Sequence, residues 1–365
     1  MNMKKLVQSF ILVWLFVVIT TPIAFAQDEN VITLDQAINM AIKHSNSIKQ
    51  MEYDIEKAEE YHKAALDNLS YIPSGAAEPQ VAAAWTAALN TQISLQMAKK
   101  SKEVEQDKIA LNVFNEYTGV LQARKNLELA EMKYEKAKKD WQITLLSYDC
   151  GLISQSQLKL AESGQKAAQA SYELAKKEVE KAYQSFNSLI GLNLTDRPLL
   201  QNAIEYSPIN IIDLDHEIAR IMDRNPAIWL AEQQVELAEI QLDLYNWADP
   251  SREPYEVKKI DIEKAKLTAA DGKQQIKNAL YSLYKTIVQL EDSYAMSYEA
   301  FKIAQEDFRV KEIQYELGML SKQDYMASKL ALTEAENNLN KIVYQHEALK
   351  QTFYKPWAAT STGSN

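Results

Sequence analysis

The sequence has 365 residues, of which 40 are Lys or Arg and 50 are Asp or Glu, so its formal net charge at pH 7 is -10. This acidic balance argues against a nucleic-acid partner, because phosphates require a basic surface. A single cysteine, Cys150, excludes an internal disulfide, and the four histidines lie far apart without metal-ligand spacing. Phosphate-binding loops and nucleophile elbows are also absent from the sequence, so we predict neither an enzyme nor a cofactor.

The N-terminus has the features of an export signal. Lys4 and Lys5 precede an apolar run over residues 10–19, and Ala24-Phe25-Ala26 forms a small-x-small cleavage site. We therefore predict a signal peptide over residues 1–26 and an exported mature chain. No later stretch of sequence approaches the roughly 18 to 20 apolar residues that a membrane-spanning helix needs.

After the signal peptide, the chain is predicted to be helical. The sequence holds only eight glycines and nine prolines, and no proline falls within residues 80–197 or 255–355. Proline is the residue least compatible with a helix interior. Within these segments apolar residues recur at steps of three, four or seven, which is typical of coiled coils. One such seam comprises Val113, Tyr117, Val120, Leu127, Ala130, Tyr134, Ala137, Trp141, Leu145 and Tyr148.

The first of these segments predicts a single very long helix. It runs from about residue 78 to residue 148, which at 1.5 Å per residue is roughly 105 Å. A helix of that length needs partners along its whole length, and its hairpin mate covers only one part. We therefore expect other segments or other subunits to cover the rest, with oligomerisation as the simplest solution.

A glycine turn occurs twice between the predicted long helices. The segment from Tyr148 to Ser154 reads YDCGLIS, and the segment from Tyr315 to Ser321 reads YELGMLS. Each serine is followed three residues later by Gln157 or Asp324, a spacing typical of a capped helix start. Two such turns predict two helical hairpins built to one plan.

A second correspondence lies upstream of each hairpin. Residues 32–48 and 212–228 both begin with Ile-x-Leu-Asp, and both interrupt a helix near its first dozen residues, at Ser45 and at Asn225. The repeating unit is therefore a short helix, a mid-length helix, a connector, a very long helix, a turn and a return helix. We predict a first repeat over residues 27–200, a second over residues 201–356 and a disordered tail over residues 357–365.

The order of these features resembles the TolC-type outer-membrane efflux proteins. The resemblance rests on Leu-Asp-x-x-Ile followed by Asn-Pro, on the Tyr-x-x-Gly-hydrophobic-x-Ser turn, and on Leu-Ile-Gly-Leu at residues 189–192. It covers essentially the whole mature chain. It implies an all-α protomer of long coiled-coil helical hairpins in two tandem repeats, with three protomers forming a hollow twelve-helix α-barrel.

The resemblance also implies a function and its partners. In that family the channel passively conducts molecules that an inner-membrane transporter exports through a periplasmic membrane-fusion adaptor. The tips of the hairpins meet the adaptor. The residues that correspond to these docking tips are Gly151, Leu152, Ser154, Gly318, Met319 and Ser321.

One part of the sequence departs from the family. The family places membrane strands of a β-barrel between the mid-length and the long helix of each repeat, here residues 69–80 and 248–254. These connectors are too short for two strands of about 9 to 11 residues each. We therefore predict a TolC-like α-barrel protomer without the membrane β-barrel. The expected location is the cell envelope, either outer-membrane-associated as the resemblance implies, or at the cell wall or extracellular side of a single-membrane cell.

Two classes of function are compatible with the sequence. The first is a trimeric α-helical duct of an efflux or secretion system that docks onto an adaptor. The second is a non-conducting coiled-coil scaffold of the cell envelope. The matching turns favour the duct, because a spacer has no need of two similar tips, whereas the short connectors favour the scaffold.

Overall fold

The structure of the protein is a computed structural model that describes residues 31–75, 77–202, 204–247 and 253–359. The predicted signal peptide, residues 1–26, lies outside the described residues, as do residues 360–365 of the predicted tail. The described part of the chain is almost entirely helical, which confirms the predicted all-α fold class.

Two similar sets of elements follow one another along the chain. The first set comprises strand β1 (Val31–Ile32) and helices α1 (Leu34–His44), α2 (Asn46–Asp67), α3 (Pro79–Asp149) and α4 (Gln155–Ile190). The second set comprises strand β2 (Leu199–Leu200) and helices α5 (Leu214–Arg224), α6 (Pro226–Asp243), α7 (Tyr255–Glu316), α8 (Lys322–Tyr354) and α9 (Pro356–Ala359). The long helix predicted over residues 78–148 is confirmed as α3, and the repeat order is the predicted one.

The helix breaks fall where side chains can cap the next helix. Ser45 ends α1 and caps α2, because its hydroxyl accepts a hydrogen bond from the backbone amide of Ile48. Asn225 ends α5 and caps α6 through the amides of Ala227 and Ile228. Pro226 then occupies the first position of α6, where the missing amide hydrogen costs nothing.

The long helices lie side by side in a single layer, and each half of the layer contains four helices in equivalent positions. In the half that contains the glycine turns, α3 packs between α4 and α8, and α8 packs against α7. In the other half α2 takes the place of α4, and α6 takes the place of α8. We call this layer the four-helix sheet. Its edges are α7 on one side and α4 with α2 on the other.

Two short strands, which were not predicted, tie the repeats together. β1 and β2 pair in parallel, with Val31 opposite Leu199 and Ile32 opposite Leu200. The buried hydroxyl of Tyr117 on α3 lies 2.8 Å from the carbonyl oxygen of Ile32 and 2.7 Å from that of Gln201. The segment that precedes α1 and the connector between the repeats are thereby fixed to the middle of α3.

The hydrophobic core of the described chain contains two clusters, the first mainly in the first repeat but including Tyr344 of α8, and the second in the second repeat. The first surrounds Tyr117 and Phe186, whose rings meet edge to face at a centroid distance of 5.8 Å. The second surrounds Leu280, Ile287 and Phe353 on α7 and α8. Within residues 31–75, 77–202, 204–247 and 253–359, none of the helices combines the length and the hydrophobicity of a membrane span.

The C-terminal helix extends into the predicted tail. Residues 357–359 belong to α9, because Pro356 favours a helix start and the Trp357 indole donates a 2.7 Å hydrogen bond to Asp107 on α3. Lys355 pairs with the other oxygen of the same carboxylate at 2.6 Å. The ordered chain therefore reaches past the predicted boundary at residue 357.

Candidate functional site

The first hairpin turn is closed by a glycine in the left-handed conformation. Gly151 has a φ of 73°, a value that residues with a Cβ atom adopt only under strain. The Leu152 amide donates to the Ser147 carbonyl at 2.9 Å, and the Gly151 amide donates to the Tyr148 carbonyl at 2.8 Å. These two bonds form a Schellman motif that satisfies the last carbonyls of α3.

The second hairpin turn repeats this geometry. Gly318 has a φ of 71°. The Met319 amide donates to the Gln314 carbonyl at 2.8 Å, and the Gly318 amide donates to the Tyr315 carbonyl at 3.0 Å. The sequence repeat therefore encodes the same backbone turn twice.

Both return helices begin with the predicted serine cap. At the start of α4, Ser154 accepts a hydrogen bond from the Gln157 amide, and the Gln157 side chain accepts one from the Ser154 amide. At the start of α8, Ser321 accepts one from the Asp324 amide. The Asp324 carboxylate accepts from the Ser321 hydroxyl at 2.7 Å instead of reaching the backbone.

The two turns present apolar side chains to solvent. Leu152 is 76% exposed and Met319 is 75% exposed. A Cβ atom placed on Gly151 or Gly318 would meet no other atom within 4 Å. The six residues predicted to dock thus lie on open turns whose shape is set by glycine and serine. Their contact with an adaptor stays a prediction.

Aromatic pairs close each hairpin behind its turn. Tyr134 on α3 stacks on Tyr172 of α4 at a centroid distance of 5.8 Å. Tyr315 on α7 stacks on Tyr325 of α8 at 4.7 Å. Desolvation raises the pKa of Tyr325 above its ordinary value, and the nearby charge of Glu312 adds to the shift. These stacked rings hold each return helix against its long helix.

Polar contacts join the two hairpins at the turn end. The Gln323 amide donates to Asp140 at 2.6 Å, which connects the start of α8 to α3. Lys133 pairs with Glu334 at 2.7 Å farther along the same two helices. Because α3 and α8 are linked so near their turn ends, both glycine turns lie at the same end of the four-helix sheet.

A polar cluster continues this contact toward the middle of the molecule. Asn337 on α8 donates to Asn126 on α3 at 2.8 Å and also accepts from Gln122. Buried amide pairs of this kind fix the register of coiled coils, because a shifted register would leave them unpaired.

The edges of the four-helix sheet expose apolar seams that the sequence analysis missed. On α4 the exposed positions follow steps of four and three, and on α7 they follow steps of seven, three and four. These are coiled-coil spacings on helix faces that no other part of the described chain covers. The α4 edge comprises the apolar residues Leu160, Ala167 and Leu174 with the small residues Gly164 and Ser171 between them. The α7 edge comprises Met296, Ile303, Val310 and Ile313 and continues to Leu317, directly after the helix.

A signal for these edges is present in the sequence. On α7 the interior seam includes Leu280, Ile287 and Tyr294, whereas Ile303 and Val310 belong to a second heptad series on the same helix. A helix with two apolar series needs two sets of partners. Among the residues that the structure describes, only one set of partners is present.

The described residues show no arrangement suited to a metal ion. In this part of the chain no three or more His, Cys, Asp or Glu side chains group together as possible ligands. The one histidine that is almost fully buried, His346, contacts the Glu291 carboxylate at 3.0 Å. The Glu291 carboxylate also accepts a 2.6 Å hydrogen bond from the Ile209 amide and so anchors the connector between the repeats.

Comparison with known proteins supports the fold alone. The sequence matches no protein-family model and no curated protein. The structure is similar to the CmeC outer membrane channel of Campylobacter jejuni, with a TM-score of 0.58, 13% identity, and coverage of 91% of this chain and 87% of that one. It is also similar to CusC, described with transmembrane channel formation, with a TM-score of 0.64, 11% identity, and coverage of 89% and 91%.

A third similar structure is the outer membrane protein VceC of Vibrio cholerae, with a TM-score of 0.59, 12% identity, and coverage of 89% of this chain and 95% of that one. These similarities extend over both repeats, so they concern the whole architecture of the described chain. The chain therefore has the helical fold of TolC-type outer-membrane channel proteins.

Proposed function

We propose that three copies of this chain close edge to edge into a hollow twelve-helix duct that conducts exported molecules. The observation that carries this proposal is the pair of exposed seams at the two edges of the four-helix sheet. Each seam follows coiled-coil spacing over the turn half of the molecule. A single chain leaves both seams in water, and an interface between copies would bury them.

The two edges are chemically suited to one another. The α4 edge has the small residues Gly164 and Ala167 at its centre, which allow a close helix approach. The α7 edge has larger side chains, such as Ile303 and Val310, that can fill the space above them. Because the two edges differ, the contact is heterologous, and repeated heterologous contacts close into a ring when the rotation fits. The ring of three follows from the resemblance to TolC-type proteins.

The turn end of this duct is proposed to dock with a membrane-fusion adaptor and, through it, with an inner-membrane transporter. Two turns per chain would place six similar apolar tips around the end of a trimer. Exposed Leu152 and Met319 supply the contact area, and the glycines set its shape. No catalytic role is assigned, and the proposed location is the cell envelope.

Substitution of both turn glycines tests the docking. We expect Gly151→Val with Gly318→Val to abolish capture of a membrane-fusion adaptor from the same cell, because β-branched residues cannot hold a positive φ without strain. Helicity measured by circular dichroism should be unchanged, since both substitutions lie in the turns and a Cβ atom at either position meets no other atom within 4 Å. Gly119→Val with Gly272→Val is the matched control, because both glycines lie inside helices with equal free space. Unchanged capture by the turn variant would refute the docking role.

The alternative is a non-conducting scaffold of the envelope. A scaffold built from one chain needs no apolar seam on either edge, so the seams favour the duct. A ring with no passage through it would instead support the scaffold. Ion conductance through the purified assembly, held end-on in a solid-state pore, distinguishes the duct from the scaffold.

A further inference from the structure

The strands and the connector between the repeats attach to one face of the four-helix sheet. One side chain from each of four helices forms a hydrogen bond to the backbone of these segments. These anchors are Tyr117 of α3, Tyr183 of α4, Glu291 of α7 and Lys350 of α8. Helix α1 packs beside Tyr117 in the first core cluster, and α5 packs beside α7 in the second. We call this side of the layer the connector face.

Helix geometry identifies the residues of the opposite face. Successive residues of an α-helix lie about 100° apart around its axis, so a residue two positions from an anchor points about 200° away from it. The residues in this position are uncharged and small or polar on all four helices. They include Asn115 and Gly119 on α3, Ser185 on α4, Ser293 on α7, and Thr352 on α8.

The two faces differ in chemistry although both contain exposed residues. Charged side chains are common on the connector face, for example Arg124, Glu128 and Glu131 on α3, Glu180 on α4 and Lys302 on α7. This mixture of both signs is typical of a surface in bulk water. At the same level of the layer, the exposed residues of the opposite face carry amide and hydroxyl groups. They include Asn112, Asn115, Thr286, Asn338 and Gln345.

The charged residues near this opposite face have both signs. In the middle of the layer they are Glu116, Glu178, Lys181 and Lys341. Toward the turns they form ion pairs, with 2.7 Å between Lys133 and Glu334 and 2.9 Å between Lys311 and Asp307. The net charge of -10 is therefore not concentrated on this face.

The size of a twelve-helix ring decides which face can point inward. Twelve helices spaced about 10 Å apart form a ring roughly 38 Å across between helix axes, which leaves an opening of roughly 28 Å. With the connector face inward, three copies each of α1 and α5 would lie in that opening. Six helices of about 10 Å diameter would fill it. An open passage requires the connector face to point outward.

We propose that the face opposite the connectors lines the passage and makes the duct indifferent to the charge of its cargo. Amide and hydroxyl side chains are hydrated but attract neither sign of ion. The class of cargo is then hydrophilic molecules irrespective of charge, in spite of the acidic composition of the chain. This inference rests on the proposed duct and adds the chemistry of its inner wall.

The reversal potential of the purified assembly in a solid-state pore, under a gradient of KCl, tests the lining. We expect the permeabilities of K⁺ and Cl⁻ to agree within about threefold at roughly 10 mM ionic strength, where screening extends over about 30 Å. Asn115→Asp with Gln345→Asp should add at least roughly a threefold preference for K⁺, because these carboxylates would face the passage. Asn115→Lys with Gln345→Lys should instead favour Cl⁻, and it keeps the test valid if one pair fails to assemble.

The matched control adds the same charge to the connector face. Gln184 lies three residues before Asn187, which contacts the connector, and Ala295 lies four residues after Glu291, so both share the face of the anchors. Gln184→Asp with Ala295→Asp should leave the selectivity unchanged.

The outcomes separate the lining from the duct itself. Light scattering and circular dichroism first establish that each variant is assembled and helical. Absence of conductance in the unaltered assembly would refute the duct. Conductance with a strong preference of the unaltered assembly for one ion would overturn the proposed lining, as would assembled passage-face variants that conduct with unchanged selectivity. An equal shift in the connector-face control would also overturn it.

Discussion

Helices α3 and α7 are similar in sequence pattern but different in their surroundings. α3 has 71 residues and α7 has 62, and both continue through the two halves of the four-helix sheet. Ten side chains of α3 are buried, whereas only three of α7 are buried. The difference arises because α3 has neighbours on both sides along most of its length, while α7 has neighbours on one side only.

This comparison indicates that α7 is incomplete in a single chain. Apolar residues recur along its free face from Ile260 and Leu267 through Met296 to Leu317. A solvent-facing helix would carry polar residues at these positions. The free face of α7 therefore has the character of an interface, and α3 shows how such a helix is buried when both partners are present.

The largest expected effect comes from charging the free face of α7. Ile303→Lys with Val310→Lys should convert the proposed trimer into a monomer, because lysines buried in an apolar interface would lack partners. Light scattering measures the assembly, and circular dichroism should show unchanged helicity. Gln305→Lys, which adds charge to an exposed position outside the seam, should leave the trimer intact. A trimer that survives the double substitution would show that this face is not the interface.

A smaller effect is expected at Gly191, which ends α4 with a φ of 80°. Gly191→Ala should reduce the free energy of unfolding by about 3 kcal/mol, because the strain of a positive φ is joined by a clash with His44. Gly318→Ala has similar backbone strain but no clash, so it should cost only about 1 to 2 kcal/mol. Urea unfolding of both variants measures the difference. Equal costs for the two variants would contradict the clash between residue 191 and His44.

Removing one hydroxyl from α3 should have a smaller effect still. Tyr117→Phe removes the buried hydroxyl that lies within hydrogen-bond distance of the Ile32 and Gln201 carbonyl oxygens, at a cost of about 1 to 3 kcal/mol. Tyr294→Phe on α7 should change stability by less than about 0.5 kcal/mol, because that ring contributes mainly by stacking on Tyr206. Equal stability of the two variants in thermal unfolding would show that the Tyr117 hydroxyl does not anchor α3 more firmly than Tyr294 anchors α7.

The same tyrosine predicts a dependence of stability on alkaline pH. Burial raises the pKa of Tyr117 to about 12, so the folded chain retains this proton at a pH where the unfolded chain has lost it. Its contribution to stability is complete below about pH 10, the ordinary pKa of tyrosine, and decreases between about pH 10 and pH 12. The difference in stability between the protein and Tyr117→Phe should narrow over this interval. A constant difference would rule out the buried, protonated hydroxyl.

Much of the architecture could be predicted from residues whose effects are local. Glycine at 151 and 318 and serine at 154 and 321 determine turn and cap geometry within a few residues, so the two hairpins were predicted correctly. The heptad spacing and the absence of proline predicted α3 to within one residue at each end. Ser45 and Asn225 likewise marked the helix breaks.

The features that were missed depend on contacts between distant segments. β1 and β2 have two residues each and lie far apart in the sequence, and no local pattern encodes either their pairing or the contact of Tyr117 with the Ile32 carbonyl oxygen. The seam at Ile303 and Val310 has the same spacing as the interior seam. The sequence pattern alone therefore does not show which of the two seams packs against other helices of the same chain.

The mass and shape of the purified protein in solution test the central claim most directly. Light scattering combined with negative-stain microscopy should show three chains per particle and a hollow tube more than about 100 Å long, set by the length of α3. The free faces of α4 and α7 would then be the contacts between copies. An elongated monomer at all protein concentrations would contradict the proposed closure of the four-helix sheet.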